Sequence, residues 1–175
     1  MTRRDIYRFG TVVLTGFLSL GLAVPGVAYL LDPLGKRRGA AKTYPLARLS
    51  ELEIGVPRSF PVVDDRQDAW VKYPKEPIGL VWLVRQPDST TEKVVAFTAE
   101  CPHLGCAVNL SGDKSIFRCP CHDSAFTFDG KPENTIPPRG MDRLEIEPLA
   151  SGPDPVIRVK FERFRSQTKE RIPLA

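Results

Sequence analysis

The stretch AFTAECPHLGCAVNLSGDKSIFRCPCHDSAFTFDG, residues 96–130, holds every cysteine and every histidine of the 175-residue chain: Cys101, His103, Cys106, Cys119, Cys121 and His122. Six soft ligands in one window are two more than a tetrahedral metal or a two-iron cluster takes. They fall into two groups, Cys101-x-His103-x-x-Cys106 and Cys119-x-Cys121-His122. Fifteen residues separate His103 from Cys119, room for a short hairpin. Several chemistries compete for them. Structural zinc takes four ligands from knuckles of the C-x2–4-C kind, which leaves Cys121 and His103 idle. A disulfide framework uses the four cysteines and leaves the histidines unexplained, and the C-x-x-C-H signature of c-type haem attachment is absent. A mononuclear iron oxygenase site needs two histidines and a carboxylate, and both histidines here are bound into the cysteine loops.

Outward from this window, the flanks read as short strands. The runs RSFPVV, AWVKY, GLVWLVR, KVVAFT, SIFRC, AFTFD, RLEIE and VIRVKF are rich in β-branched and aromatic residues. RLEIE and VIRVKF alternate apolar with polar positions, the period of a half-buried strand. Turn residues separate the runs at Ser111-Gly112-Asp113, Asp129-Gly130 and Ser151-Gly152-Pro153. Seventeen prolines suit a loop-rich β domain better than a helical one. LARLSEL is the one segment here that suggests a turn or two of helix. The expectation is an antiparallel all-β head, a sandwich or small barrel, over residues 44–175.

The N-terminus has a different character. Gly10 to Leu31 is 22 residues without a charge, and about 20 apolar residues cross a bilayer core as a helix. No small-x-small cleavage site follows closely, so residues 9–31 predict a retained transmembrane helix. Pro25-Gly26 would kink it, which membrane helices tolerate. Residues 1–8 form a basic n-region in which TRRDIYR resembles the twin-arginine export signal through Arg3, Arg4 and Arg8. Lys36, Arg37, Arg38 and Lys42 flank the other end, so charge alone does not orient the helix. Residues 32–43 read as a flexible tether. The net charge of +4 owes much to the N-terminal arginines, and no concentrated basic stripe suggests nucleic acid.

The two loops, CPHLGC at 101–106 and CPCHDSAF at 119–126, resemble the Rieske iron–sulfur proteins. The likeness is to the disulfide-bearing branch found in cytochrome bc and b6f complexes. That family's motif is Cys-Thr-His-Leu-Gly-Cys followed by Cys-Pro-Cys-His-Gly-Ser-x-Tyr. Weaker agreement extends to the anchor, the β head and a proline loop, IPPRGMDRLEIE, at 136–147.

The resemblance implies a Rieske-type antiparallel β sandwich with a cluster-binding subdomain at 99–128. It implies one Rieske-type 2Fe–2S cluster, with Cys101 and Cys119 on the inner iron and His103 and His122 on the outer one. Cys106 and Cys121 would form a disulfide clamping the loops, and Leu104 would cover the cluster. Two imidazoles in place of two thiolates lift the potential to about −150 to +300 mV, against about −400 mV for all-cysteine plant-type clusters. That range suits a quinol donor, and His122 would take the quinol hydrogen bond and proton. The implied role is the electron-transfer subunit of a membrane quinol:cytochrome c oxidoreductase, not catalytic alone, beside a cytochrome b-type subunit and a c-type cytochrome. An alternative is the Rieske small subunit of a periplasmic molybdenum enzyme such as an arsenite oxidase. A disulfide belongs on the oxidising side. It therefore places the head outside the bacterial cytoplasmic membrane and the N-terminus in the cytoplasm, in keeping with twin-arginine export of a loaded cluster.

Pro102, Asp123 and Phe126 depart from the motif, where Thr, Gly and Tyr stand, while Ser124 is kept. In the family the Ser and Tyr hydroxyls donate to cluster sulfurs. Phe126 cannot, and an ionised Asp123 would also oppose reduction. Both point to a lower potential, compatible with menaquinol.

Overall fold

The structure is a computed structural model that describes residues 2–35, 41–68, 71–87 and 92–174. Its N-terminal unit is one helix, α1 (Arg3–Gly35). Within Arg3–Leu31 an 18-residue stretch has a mean hydropathy of 1.9 and no buried residue, so the helix is long and apolar enough to cross a membrane. It begins six residues earlier than the expected helix because Thr2 and Asp5 cap it. The Thr2 amide and hydroxyl donate to the Asp5 carboxylate at 2.9 and 2.7 Å, and the Asp5 amide donates back to Thr2 Oγ1. This is the reciprocal arrangement of a capping box. The helix also takes in residues 32–35 of the expected tether. Lys36, Arg37 and Arg38 lie outside the described residues.

The head begins with a strand where a tether and a helical turn were expected. Residues 42–48 form β1 (Lys42–Arg48), and LARLSEL contributes only a 3-10 turn at Leu49–Glu51. Local propensity loses here to pairing with a distant strand. The other long strands are β2 (Arg58–Asp68), β3 (Val71–Arg85) and β4 (Val94–Thr98). Ala69 and Trp70 of the AWVKY run lie outside the described residues; the rest of that run joins GLVWLVR in one strand. Three two-residue strands follow, β5 (Asn109–Leu110), β6 (Phe117–Arg118) and β7 (Ala125–Phe126). Then come β8 (Arg143–Ile146) and β9 (Val156–Phe161), and the small pair β10 (Arg163–Phe164) and β11 (Pro173–Leu174).

Six strands form an antiparallel sheet in the order β1-β9-β8-β4-β3-β2. Its two outer strands approach each other. Lys42 Nζ and the Tyr44 hydroxyl of β1 both donate to Asp64 Oδ2 of β2 at 2.7 Å, so the sheet nearly closes. Strands β5, β6 and β7 make a second, three-stranded sheet that carries the cysteine loops.

Strands β3 and β4 join the two. The second half of β3, residues 78–84, and all of β4 are continuous apolar runs, the mark of a strand covered on both faces. Val81, Leu83, Val94 and Ala96 face one core, with Val62, Leu144, Ile157 and Val159. Their alternates Trp82, Val84, Val95 and Phe97 face a second core, which contains Cys101, Val108, Phe117, Cys119 and Phe126. Alternation along a strand makes this division automatic. Trp82 also donates its indole N–H to the Val108 carbonyl at 2.9 Å, tying the first loop to the sheet.

The two loops have the same backbone plan. Gly105 N–H donates to the Cys101 carbonyl at 2.8 Å, and Asp123 N–H donates to the Cys119 carbonyl at 3.1 Å. Each cysteine N–H in turn donates to the carbonyl five residues on, Cys101 to Cys106 and Cys119 to Ser124, both at 2.8 Å. The residue fourth after each cysteine must take a left-handed conformation. Gly105 does so at φ 78° and Asp123 at φ 64°. Glycine adopts it freely, aspartate tolerates it and a β-branched residue resists it. Asp123→Gly should therefore leave thermal stability level or raise it slightly. Asp123→Val should cost about 1–2 kcal/mol in denaturant unfolding.

Candidate metal centre

Each loop offers one buried cysteine and one outward histidine. Cys101 and Cys119 are free thiols, 1% and 2% exposed. His103 is half-buried and His122 exposed. The two imidazole rings stand edge to face, their centroids 4.9 Å apart, so they present to the same place. Cys106 and Cys121 are joined by a disulfide that crosses from one loop to the other, with Cα atoms 6.5 Å apart. Cys119 Sγ lies within 4.8 Å of both disulfide sulfurs. That trio is no ligand set, because bonded sulfurs are not thiolates. The loops thus bring all six sequence-marked residues together and divide them into a bonded pair and four free donors.

The electrostatics of the pocket call for a partner. Burial pushes the Cys101 thiol up. The His103 backbone N–H and the Ser124 hydroxyl, both near its sulfur, oppose that shift, and the Cys119 sulfur adds to it. Ser124 is fully buried, and its Oγ makes no well-formed hydrogen bond among the described residues. A buried hydroxyl without a partner costs about 1–3 kcal/mol. An inorganic sulfide beside the two cysteines would accept from it. Two buried thiols, two convergent imidazoles and an orphaned donor fit a Rieske-type 2Fe–2S cluster, in which two histidines replace two cysteines on one iron.

The remaining marked residues surround this set. Phe126 is fully buried in the same core as Cys101 and Cys119. Leu104 is 44% exposed, beside His103 on the outer side of the first loop. Asp123 is exposed and pairs with Arg118 at 3.2 Å. That cation offsets the field of an ionised Asp123, a compensation the motif comparison alone did not reveal. The segment leading into the proline loop braces the second cysteine loop: Asn134 Nδ2 donates to the Asp123 carbonyl at 2.8 Å, and Glu133 N–H donates to the Ala125 carbonyl. Sequence reading also passed over Arg139 and Asp142, whose i,i+3 spacing within the proline loop was the available signal. They form a buried ion pair, 10% and 3% exposed.

Comparison with known proteins agrees with this geometry. The model of the Rieske [2Fe-2S] domain matches residues 42–146. The menaquinol:cytochrome c reductase iron-sulfur subunit of Geobacillus thermodenitrificans is 28% identical over 151 residues, covering 84% of this chain and 86% of that one. Its namesake from Bacillus subtilis is 29% identical over the same length and coverage. The cytochrome b6-f complex iron-sulfur subunit 2 of Synechocystis is 29% identical over 131 residues, 73% of this chain and 66% of that one. With the family model spanning more than half its length, and the cysteine and histidine loops folded into one pocket, the chain belongs to the Rieske [2Fe-2S] family.

Proposed function

We propose that this chain is the electron-transfer iron–sulfur subunit of a membrane-bound quinol:cytochrome c oxidoreductase of the bc type. The observation that carries the reading is the outward pair of imidazoles on two loops locked by the Cys106–Cys121 bond. Relatives named as menaquinol:cytochrome c reductase subunits, similar along most of the chain, support the same role. Cys101, Cys119, His103 and His122 hold the cluster, which when bound supplies a reversible one-electron couple. Cys101 and Cys119 keep their side of the site dry. His122, exposed at the tip of the second loop, is the residue that would accept a hydrogen bond from the quinol hydroxyl and take up its proton on the imidazole. The electron leaves to a c-type cytochrome, and a cytochrome b-type subunit completes the quinol site. Menaquinol is the donor the altered second loop favours.

The disulfide also supports a reading of the side of the membrane. Such bonds persist in oxidising compartments, so the head lies outside the cytoplasmic membrane and the N-terminus within. Arg3, Arg4 and Arg8 then serve as a twin-arginine address.

Purification from membranes tests the assignment. A b-type cytochrome should accompany the protein, and added quinol should reduce the centre, seen by EPR. A large molybdenum-containing partner in place of the cytochrome would overturn it. Phe126→Tyr restores a hydroxyl near the cluster sulfurs. If that bond is worth about 1.4 kcal/mol between redox states, the midpoint rises by about 60 mV, and an unchanged midpoint removes Phe126 from the tuning set. The Cys106–Cys121 bond closes a loop of 15 residues, worth about 3 kcal/mol through the unfolded chain. Replacing both cysteines by serine should lower stability by that order and speed the loss of iron, followed by bleaching of the visible spectrum.

A further inference from the structure

Beyond the region matched by the family model, the chain returns to the first cysteine loop. Phe164 is packed into the main core at 4% exposure. Its neighbour Arg163 pairs with Glu100, the residue before Cys101, at 2.6 Å. Two residues past Arg165, Gln167 donates its backbone N–H to the Pro102 carbonyl at 2.9 Å. It does so from a left-handed conformation, φ 63°, that is uncommon for glutamine. A Cβ at Gly105 would stand 3.6 Å from Ser166 Oγ, so this strap lies directly against the loop.

Arg139 holds the strap in place. Its Nε and one Nη2 proton donate to the two oxygens of Asp142 at 2.8 and 2.6 Å. The other Nη2 proton goes to the Arg165 carbonyl at 2.9 Å. Nη1 donates to the Thr168 carbonyl at 2.6 Å and to the Thr168 hydroxyl at 3.2 Å. All five guanidinium donors are thus used, in a side chain only 10% exposed.

The strap reaches the centre through one peptide plane. The Pro102–His103 bond is trans, so its carbonyl and its N–H point in opposite directions. The carbonyl is turned to Gln167, and the His103 N–H is directed at the Cys101 sulfur. Hydrogen bonds to cluster sulfurs are among the features that set the potential, and a donor there favours the more negative, reduced state.

We propose that Arg139 is a positioning residue that tunes the centre. It clamps residues 165–168 so that Gln167 fixes the Pro102–His103 peptide with its N–H on the Cys101 sulfur. The inference rests on Cys101 being a cluster ligand. The spectrum of the wild-type protein tests that point separately, because a failure of ligation shows as a missing cluster and not as a shifted one.

The test uses the full chain purified from membranes, with the midpoint read by EPR redox titration. Hydrogen exchange is followed in parallel by mass spectrometry over residues 99–106. Arg139→Gln should keep the cluster and shift the redox equilibrium up to tenfold toward the oxidised form, about 59 mV for a one-electron couple. Exchange in the loop should accelerate. Arg139→Lys, which retains a cation and part of the bonding, should recover some of the shift. Truncation after Ser166 leaves residue 139 unaltered but removes the Gln167 N–H, together with Thr168 and its two bonds to Arg139; it should move the midpoint the same way, which decides the matter should Arg139→Gln fail to fold. Val159→Ala, a cavity in the main core, should lower stability and leave the midpoint in place. An unchanged midpoint in the truncated chain, or an equal shift in Val159→Ala, overturns the proposal.

Discussion

The covalent link between Cys106 and Cys121 is the constraint on which the site depends. The loops it joins belong to a sheet whose three strands are two residues long. Such strands offer few ladder bonds, so regular structure alone holds the loops weakly. The disulfide replaces missing strand length with a covalent tie. The two loops then need only a matched internal turn, and the hydrogen bonds after Cys101 and Cys119 provide it in duplicate. The repetition explains why glycine suits position 123. The demand comes from the backbone, since the equivalent residue of the first loop is Gly105 in the same left-handed conformation.

Beneath the loops, the two-faced burial of β3 and β4 makes the support rigid. A strand between a barrel core and a cluster-bearing core cannot shift by one residue without exchanging the two faces. Trp82 and Phe97 are therefore held under the cysteine loops by Leu83 and Ala96 on the opposite side. Glycine marks a point where this support is tightest: a Cβ on Gly130, at φ 80°, would stand 2.5 Å from the Phe97 ring. Buried cysteines on this platform, with a half-buried His103 and an exposed His122 at its outer edge, give the site a dry side and a wet side.

Three further supports reach the loops from outside the small sheet. Asn134, just before the proline loop, grips the second loop at Asp123, the Trp82 indole grips the first at Val108, and the C-terminal strap meets the first at Pro102. Arg139 connects the proline loop to the strap through a buried, fully bonded guanidinium. An arginine left in such a place without its partners would be strongly destabilising. The pair with Asp142 therefore commits both segments to one arrangement.

Much of this was legible in the chain. The crowding of Cys101, His103, Cys106, Cys119, Cys121 and His122 into one window announced a soft-ligand site, because ligand chemistry depends on residue type and close spacing, and the likeness of its two loops to the Rieske motif implied the cofactor. The uncharged run at Gly10–Leu31 announced a membrane helix, and the alternation of VIRVKF announced β9, because both signals are local and periodic. Other features were settled only by folding. Strand β1 forms because β9 lies beside it, not because KTYPLAR prefers extension. Asp123 replaces glycine at no loss of the turn because its dihedral angles, not its charge, are what the loop requires, and Arg118 answers that charge from a neighbouring strand. The route from Arg139 to the Cys101 sulfur spans residues far apart in sequence and runs through the orientation of one peptide plane. A sequence carries composition and period directly. The direction of a carbonyl or the partner of a buried guanidinium exists only once distant segments have packed.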